Sequence, residues 1–445
     1  MKKNAINRRD FISKSSVGLV GTGAALMGGA FVSEKPSFGR NPEQNKIKEY
    51  RVLGRTGFRV SDIGCGTMGI SNENVLRQII ASGVNFLDTA EAYANGNNEL
   101  MVGRAIKETP RNSLFINTKI FVNQDATIDQ LKVRVKKCLE RLQTDYIDGL
   151  MIWNATSMEN IKNEVFHEAF KQLKQEGLVK YCGVTCHGSS WIEEPRENME
   201  QIIASAVEDG RFDMVMFVYN YIQQEMGEHI LAACLKENIG TVLMKTDPFG
   251  GAYLFVMDMV TNLLKENKPV PENYRKVYDR ILETQKKAES YLMQNNLADV
   301  NVRREAAIGF TLNNPAVNTV LITFKNFEDV DNYVQLSGTR LKNETASLIK
   351  SLKEGFNHLY CRHACGLCEG SCPDHVQVNR IMRYNHYYMA QAREKYAIQK
   401  YAGIAGPKAE KCLTCEGFCE AACPFGVPAH LLLALAHRNL SLSWV

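Results

Sequence analysis

The 445-residue sequence predicts an α/β fold, in which a (β/α)8 TIM barrel is followed by a small α-helical module. Two observations predict the barrel: short β-branched runs alternate with segments of helical periodicity, and eight such runs fit within about 290 residues. A third observation predicts the module, because eight of the 13 cysteines lie between Cys361 and Cys423. Tight cysteine groups that follow a large apolar body are typical of metal or cluster sites rather than of a disulfide framework.

The composition excludes several classes of protein. Hydrophobic residues make up 45% and charged residues 23% of the chain, close to the globular average, which argues against disorder and against a polytopic membrane protein. The net charge of +4 is small, and no strong basic block accompanies it. We therefore expect no nucleic acid partner.

Residues 1–34 are predicted to be an export signal. A basic start leads to Arg8 and Arg9, then to Phe11 and an uncharged, Gly/Ala-rich run from Ser15 to Ser33, an order that resembles a twin-arginine signal. This route carries folded proteins, which suits a protein that takes up a cofactor in the cytoplasm. We expect the protein in the periplasm or cell envelope. An uncleaved signal acting as an anchor and an ordinary basic amphipathic start are the alternatives.

The barrel is predicted to begin after a hairpin at Tyr50 to Val60, which turns around Gly54 to Gly57. Candidate strands lie at Val60–Gly64, Asn85–Asp88, Leu114–Lys119, Tyr146–Ile152, Lys180–Val184, Met214–Val218, Thr241–Lys245 and Asn318–Ile322. Candidate helices lie at Thr127–Leu142, Met158–Glu176, Met199–Glu208, Gln224–Glu237 and Arg303–Leu312. A doubly wound sheet would also alternate, but no G-x-G-x-x-G follows the first strand. In a barrel, the active site lies at the C-terminal ends of the strands.

Residues 49–340 resemble the aldo-keto reductases, which are NAD(P)-dependent carbonyl reductases built on this barrel. The resemblance rests on YRVLGRTGFRVSDIGCGTMGI, on GVNFLDTAEAYANGNNELMVGRAI with its Asp-Thr-Ala-x-x-Tyr signature, and on LFINTKI. GLVKYCGVTCHG, GTVLMKTDPFGG and NTVLITFKNFEDVDNYV follow in the family's order. The resemblance implies a small carbonyl or alcohol substrate.

Three of the four catalytic residues that the resemblance implies are present: Asp88, Tyr93 and Lys119. A hydride delivered to a carbonyl carbon makes an alkoxide that needs a proton, which a phenol beside an ammonium can supply. Tyr93 is expected to be the acid, Lys119 to lower its pKa, and Asp88 to orient Lys119. Taken singly, these residues could equally be a helix cap, a rim aromatic and a solvated strand end.

The fourth catalytic residue, a histidine, is replaced by Trp153, with Asn154 beside it. Indole cannot accept a proton, so the group that normally orients the carbonyl is missing. His187, at the end of the fifth predicted barrel strand, is the candidate substitute. It could instead cap a helix or bond to the backbone.

The resemblance also implies a site for NADP or NAD. The matching positions are Thr67, Met68, Thr185, Lys245, Thr246, Lys325 and Asn326. The sequence departs from the family at two positions. Met216 stands where the family has a glutamine, and the asparagine of the family's adenine-binding helix is shifted or replaced near Asn332. Lys325 could simply be solvated. In an exported protein the nucleotide must be tightly bound if it is present.

Residues 341–445 are predicted to be a ferredoxin-like module. Two motifs, C-x3-C-x2-C-x3-C-P and C-x2-C-x3-C-x3-C-P, resemble the bacterial ferredoxin run with one extra residue each. Crossover of the fourth cysteine predicts two [4Fe–4S] clusters, one held by Cys361, Cys365, Cys368 and Cys423, the other by Cys372, Cys412, Cys415 and Cys419. Zinc on four thiolates is the alternative. The segment Val378–Tyr401 between the motifs has a helical pattern rich in Tyr, Arg and Gln.

Two functions fit these features. The first is an exported oxidoreductase, whose barrel exchanges electrons through the clusters with a redox partner protein or membrane electron carrier. The second is a barrel that has lost catalysis and serves as a docking scaffold for the electron-transfer module. Trp153 favours the second function, and the retained Asp88, Tyr93 and Lys119 favour the first. The other five cysteines are expected to be core residues.

Overall fold

The computed structural model describes residues 45–187, 197–248, 286–295, 299–389 and 393–441, together with residues 279, 283 and 297. The export signal predicted at residues 1–34 lies outside the described residues. Among the residues described, the model contains no helix that is both long enough and apolar enough to cross a membrane.

An antiparallel hairpin precedes the barrel, as the sequence predicts. Strand β1 (Tyr50–Val52) pairs with β2 (Arg59–Ser61). Gly54 has a φ of 47°, and a Cβ there would lie 2.2 Å from the backbone nitrogen of Gly240. Only glycine allows this close approach of the hairpin to the barrel.

Eight parallel strands close into a barrel, which confirms the predicted fold class for this part of the chain. The strands are β3 (Ile63–Gly66), β4 (Phe86–Asp88), β5 (Phe115–Ile120), β6 (Ile147–Ala155), β7 (Val179–Cys186), β8 (Met214–Val218), β9 (Gly240–Met244) and β10 (Thr319–Ile322). β10 pairs with both β9 and β3 and closes the barrel. The first predicted strand, Val60–Gly64, is corrected because it spans the end of β2 and the start of β3.

Helices surround the strands on the outside. They are α1 (Glu73–Ala81), α2 (Asn97–Ile106), α3 (Ile128–Leu142), α4 (Met158–Ile161), α5 (Glu164–Gln175), α6 (Met199–Asp209), α7 (Gln224–Lys236), α8 (Val300–Asn313) and α9 (Phe327–Val334). The single helix predicted at Met158–Glu176 is wrong, because α4 ends at Ile161 and a new helix begins at Glu164. Asn163 has an extended backbone there, and its side chain accepts a hydrogen bond from the Phe166 N–H.

The interior of the barrel is apolar near the hairpin. Phe86 and Phe115 stack with ring centroids 5.4 Å apart, and Leu53 and Met214 pack into the same buried cluster. The buried polar residues Asp88 and Lys119 lie at the other end, where the strands finish. The packed interior therefore leaves the C-terminal ends of the strands as the place for chemistry.

Five further helices follow the barrel. They are α10 (Asn343–Phe356), α11 (Val378–Met389), α12 (Glu394–Ala402), α13 (Phe418–Ala421) and α14 (Ala429–Leu440). Leucines of α14 form an apolar core with Ile381 and Ala397. The segment predicted to be helical at Val378–Tyr401 contains α11 and α12, and residues 390–392 between them lie outside the described part.

The C-terminal segment is bonded to the barrel. The N–H of His363 donates to Gln223 Oε1, and Gln223 Nε2 donates to the His363 carbonyl, at 2.9 and 2.7 Å. Asn220 also donates to the Tyr360 hydroxyl at 3.2 Å. Both barrel residues follow β8, so this segment packs against the barrel's C-terminal end.

Candidate functional site

Asp88 and Lys119 form a buried ion pair at the ends of the neighbouring strands β4 and β5. Lys119 Nζ lies 2.6 Å from Asp88 Oδ1, and it also donates to the Thr89 carbonyl. Asn117 Nδ2 donates to the same carboxylate oxygen at 2.7 Å. Burial lowers the pKa of Lys119, and the charge of Asp88 opposes that effect. Hydrogen bonds to Asn117 and Thr89 therefore fix the pair in place, and both side chains are buried away from bulk water.

Tyr93 lies beside this pair, in a short turn after β4. The centre of its ring is 5.0 Å from Lys119 Nζ. Burial raises the pKa of Tyr93 well above its usual range, the charge of Asp88 adds to the rise, and Arg393 opposes it. The lowering of this pKa by Lys119 stays a prediction, because burial and Asp88 dominate the pKa of Tyr93. A phenol of this kind stays protonated at neutral pH and can act as a proton donor.

Trp153, on β6, covers Tyr93. The two rings meet edge to face with centroids 5.3 Å apart, and Phe121 stacks on the indole at 4.2 Å. The backbone N–H of Asn154 donates to Thr185 Oγ1, and no described residue bonds to the buried Asn154 Oδ1. An aromatic wall thus occupies the position that the resemblance assigns to a histidine.

His187 is bonded to Lys245, at the ends of β7 and β9. Lys245 Nζ lies 3.3 Å from His187 Nδ1 and 3.1 Å from His363 Nδ1, so it joins β7, β9 and the C-terminal segment. Burial lowers the pKa of both Lys245 and His187 well below their usual ranges, and the charge of Arg383 adds to both effects. Among the contacts of the described residues, none joins His187 to Tyr93.

The residues predicted to bind a nucleotide fall into two groups. Thr67, Thr185 and Thr246 are buried at the barrel mouth, and Met68 is partly buried there. Lys325 is exposed just before α9, where Asn326 accepts a hydrogen bond from the Asp329 N–H and so caps the helix.

These two groups fit a dinucleotide unequally. An exposed lysine at a helix N-terminus suits a phosphate. At the mouth, Thr67 already donates to the Asp88 carbonyl and Thr185 accepts from Asn154. Met216 lines the barrel interior without an amide, and Lys245 is bonded to two histidines. Lys325 therefore suits a phosphate, whereas Thr67, Thr185 and Lys245 at the mouth are already hydrogen-bonded; the buried Asn154 Oδ1 beside Thr185 has no partner among the described residues.

The cysteines of the C-terminal segment are brought together in two sets of four. One pocket is lined by Cys361, Cys365, Cys368 and Cys423. The other set is Cys372, Cys412, Cys415 and Cys419, in which Cys412 interacts electrostatically with the other three. Each set combines three cysteines of one motif with the fourth of the other, which is the grouping that the crossover implies. Four thiols per set are the donor set of a [4Fe–4S] cluster.

The raised pKa values of these thiols keep them protonated in the protein without a bound cluster. Burial and the neighbouring thiols raise the pKa of Cys361 and Cys412, and the pKa of Cys419 is raised to about 12. Backbone N–H groups donate to Cys372 Sγ at 3.4 Å and to Cys415 Sγ at 3.3 Å. Binding of iron to such thiols would release protons. Among the described residues, no three His, Cys, Asp or Glu side chains are close enough together to hold a single metal ion.

Several residues at the mouth come from the C-terminal segment and were not predicted from the sequence. Tyr387, Arg393 and Tyr396 each affect the pKa of Tyr93, and Arg383 affects that of Lys245. The Tyr- and Arg-rich composition of Val378–Tyr401 leads us to expect a helical module packed on the barrel, but it does not indicate which of its side chains lie near Tyr93 and Lys245.

Comparison with known families gives one extended match. The model of the aldo/keto reductase family matches residues 62–354. An uncharacterized oxidoreductase of Bacillus subtilis is 26% identical over 308 residues, which cover 66% of this chain and 92% of the relative. L-galactose dehydrogenase of Arabidopsis thaliana is 30% identical over 154 residues, which cover 31% of this chain and 48% of that enzyme.

Solved structures give the same fold. An aldo-keto reductase of Bacillus halodurans, solved in its holo form, matches with a TM-score of 0.50 and 24% identity. The match covers 71% of this chain and 99% of that structure. At this level of identity the likeness shows the fold.

Proposed function

The chain belongs to the aldo/keto reductase family, and on that basis we propose that it interconverts a small carbonyl compound and its alcohol. We further propose that two [4Fe–4S] clusters in the C-terminal segment carry the electrons. The observation that supports the enzymatic function is the buried Asp88–Lys119 pair, 2.6 Å between charged atoms, beside the ring of Tyr93. A structural ion pair would not need a proton donor beside it at the end of a barrel strand.

Tyr93 is assigned the proton transfer. Reduction places negative charge on the carbonyl oxygen, which takes the phenolic proton, and oxidation reverses this step. Because burial raises the pKa of Tyr93, the phenol is protonated over the physiological range. Lys119 is assigned the electrostatic stabilisation of the developing oxyanion, and Asp88 holds the lysine in place.

A nucleotide, NADP or NAD, is proposed as a tightly held cofactor. When bound, it would supply or accept the hydride. Lys325 and Asn326 are the residues of this chain assigned to its phosphates, together with Thr67, Met68, Thr185, Lys245 and Thr246 as expected from the family. The bonded state of Lys245 makes the nicotinamide end the weaker part of this assignment.

The two cysteine sets are assigned to the clusters, and their location suits exchange with the barrel. Cys361 is two residues from His363, which bonds to Lys245 at the mouth. Electrons arriving at or leaving this cluster would pass close to the site. We propose a redox partner protein or membrane electron carrier outside the cytoplasm, reached by twin-arginine export.

A second function, a catalytically inactive docking scaffold, is favoured by one observation. Trp153 fills the place of the family's histidine and packs against both Tyr93 and Phe121. In this case the barrel would position the clusters for a partner and bind no substrate.

The test begins with anaerobic purification of the full chain and analysis of iron, sulfide and released nucleotide. About eight iron and eight sulfide per chain are expected. Zinc without acid-labile sulfide would contradict the cluster assignment.

Turnover of an aldehyde panel, with NADPH and with a reduced artificial electron donor, then separates the two functions. Tyr93→Phe should abolish turnover. The matched control is Tyr146→Phe, because Tyr146 lies before β6, where its ring contacts Arg111 and Lys180. Absence of turnover with both donors, together with a normal cluster content, would establish the scaffold function instead.

A further inference from the structure

Two arginines of the C-terminal segment lie at the barrel mouth without a carboxylate partner among the described residues. The guanidinium of Arg393 lies 3.9 Å from the centre of the Tyr396 ring and 5.3 Å from that of Tyr387. The guanidinium of Arg383 lies over Tyr384 at 5.7 Å, and its buried Nε has no hydrogen-bond acceptor within the described residues. Both cations are thus packed against rings and left uncompensated.

Both arginines are close enough to the site to affect it. The charge of Arg393 opposes the rise in the pKa of Tyr93, and that of Arg383 lowers the pKa of Lys245 and His187. Tyr387 lies between Arg393 and Lys245, since Arg393 packs on its ring and Lys245 Nζ lies 5.6 Å from the centre of that ring. Arg393 therefore lies near the proton donor Tyr93, and Arg383 lies near Lys245.

Among the described residues, no carboxylate forms an ion pair with Arg383 or Arg393, and Asp88, at the base of the mouth, is already paired with Lys119. Both charges act on Tyr387, and an anion would stabilise guanidinium groups in a partly buried space. The planar fork of arginine matches a carboxylate or a phosphate, and its charge persists at every physiological pH.

We propose that Arg383 and Arg393 form an anion-binding site over Tyr93 and that the carbonyl substrate carries a carboxylate. The substrate part of this inference rests on the proposed function, whereas the anion site does not. A nucleotide phosphate is the other source of an anion. The phosphates are assigned to Lys325 and Asn326 before α9, whereas Arg393 acts on Tyr93, the residue assigned to the carbonyl oxygen. This placement favours the substrate.

The test measures binding without turnover. Full-length protein is purified anaerobically and titrated calorimetrically with three acids and their amides: glycolate, 4-hydroxybutyrate and 4-(hydroxymethyl)benzoate. Each acid is the product of a carboxylate-bearing aldehyde, and each amide keeps the shape without the charge. At least one acid should bind more tightly than its amide. Equal affinities for all three pairs would overturn the proposal.

Variants assign the effect to the two arginines. The double variant Arg383→Gln with Arg393→Gln should weaken binding of the acid roughly 10- to 100-fold and leave the amide unchanged. The double Arg→Lys variant should retain part of the preference, which separates lost charge from misfolding. Arg380→Gln is the control, because Arg380 lies on the same helix and bonds to Gln377. Loss of acid binding in this control would overturn the assignment.

Three further outcomes separate the sources of the anion and the two proposals. If the double Gln variant binds NADPH more weakly but the acids equally well, the anion is a nucleotide phosphate and the substrate assignment fails. If the protein reduces no carbonyl but binds acids through the two arginines, the anion site stands and the proposed function fails. Reduction of charged and uncharged aldehydes with equal kcat/KM in every variant would overturn the assignment of a carboxylate-bearing substrate and leave the proposed function standing.

Discussion

Trp153 is the residue on which the chemistry of the mouth depends most. Its indole meets Tyr93 edge to face and stacks on Phe121, so it is part of a packed aromatic wall. It cannot exchange a proton, and His187 is bonded to Lys245. In the proposed reaction, the described residues assigned to polarise the carbonyl oxygen are Tyr93 and Lys119.

Replacement of Trp153 by histidine should raise the rate of carbonyl reduction. The imidazole can hydrogen-bond the carbonyl oxygen next to Tyr93, and acid–base assistance of this kind is worth about a hundredfold. The gain should be smaller than this, since the smaller ring leaves a void that admits water. Rates for wild type, Trp153→His, and Trp153→His with Tyr93→Phe over a panel of aldehydes measure the effect.

The double variant decides the roles. A rate that rises in Trp153→His and vanishes with Tyr93→Phe identifies Tyr93 as the acid. If the wild type reduces aldehydes rapidly and His187→Ala abolishes this activity, His187 is the histidine that hydrogen-bonds the carbonyl oxygen.

Removal of the Lys119 charge should destabilise the fold. Lys119→Met leaves Asp88 buried without its partner, and breaking a buried pair typically costs about 3 to 5 kcal/mol. Lys180→Met is the control, since Lys180 is half exposed and Asp148 keeps its pair with Arg111, so its cost should stay below about 1 kcal/mol. Urea denaturation measures both free energies of unfolding.

The pH dependence of the Lys119→Met effect has a definite sign. Burial raises the pKa of Asp88 in the folded protein, and loss of the lysine removes the main opposing charge. A carboxyl group with a raised folded pKa loses stability as pH rises from its unfolded to its folded pKa. The difference between variant and wild type should therefore be smaller at pH 4 than at pH 7. A constant difference would show that lost packing, and not the unpaired charge, causes the destabilisation.

At the scale of elements, the helices of the C-terminal segment both bring the cysteines together and place side chains at the barrel mouth. Helix α14 and Ile381 of α11 build its apolar core, which gathers cysteines from both motifs. The same α11 carries Arg383 and Tyr387 to the barrel mouth. Cluster ligands and site residues are thus connected through a single helix.

Paired cysteine substitutions should reveal the crossover of the ligands. If Cys423 shares a cluster with Cys361, the double variant Cys423→Ser with Cys361→Ser should keep about four iron per chain. Cys423→Ser with Cys412→Ser should then lose nearly all iron, because it removes a ligand from each cluster. Iron and sulfide analysis after anaerobic purification measures both. The reverse pattern would indicate that each motif holds its own cluster, and Cys234→Ser, a buried barrel cysteine, is the control.

At the scale of the whole molecule, the C-terminal segment is bonded to the barrel at the end where the strands finish. Gln223 and Asn220, both after β8, bond to His363 and Tyr360. These contacts place the segment over the end of the barrel where strands deliver catalytic residues.

Export of the whole molecule should depend on the arginine pair. Replacement of Arg8 and Arg9 by lysine should leave the protein in the cytoplasm, since the twin-arginine route reads the pair itself and not only its charge. Cell fractionation with immunoblotting of wild type and variant measures the effect. Lys2→Arg with Lys3→Arg serves as the charge-matched control, and unchanged envelope localisation of the Arg8, Arg9 variant would contradict the signal assignment.

Local pattern was enough to predict most of the fold. The β-branched runs predicted the eight barrel strands, because the sequence of a buried parallel strand is a short run of apolar residues. It failed where a single capping residue decided the outcome. Asn163 divides the helix predicted at Met158–Glu176, since its side chain competes for the Phe166 N–H.

The sequence by itself determined the barrel, the place of Asp88, Tyr93 and Lys119 at strand ends, and two motifs of four cysteines. Each of these follows from spacing along a few tens of residues. Only the tertiary structure decided that Lys245 binds His187 and His363, that Arg393 lies near Tyr93, and that Arg383 lies near Lys245. These contacts join residues more than 50 positions apart. They depend on how the C-terminal segment packs on the barrel. Packing between segments that are distant in the sequence produces no hydrophobic periodicity from which it could be predicted.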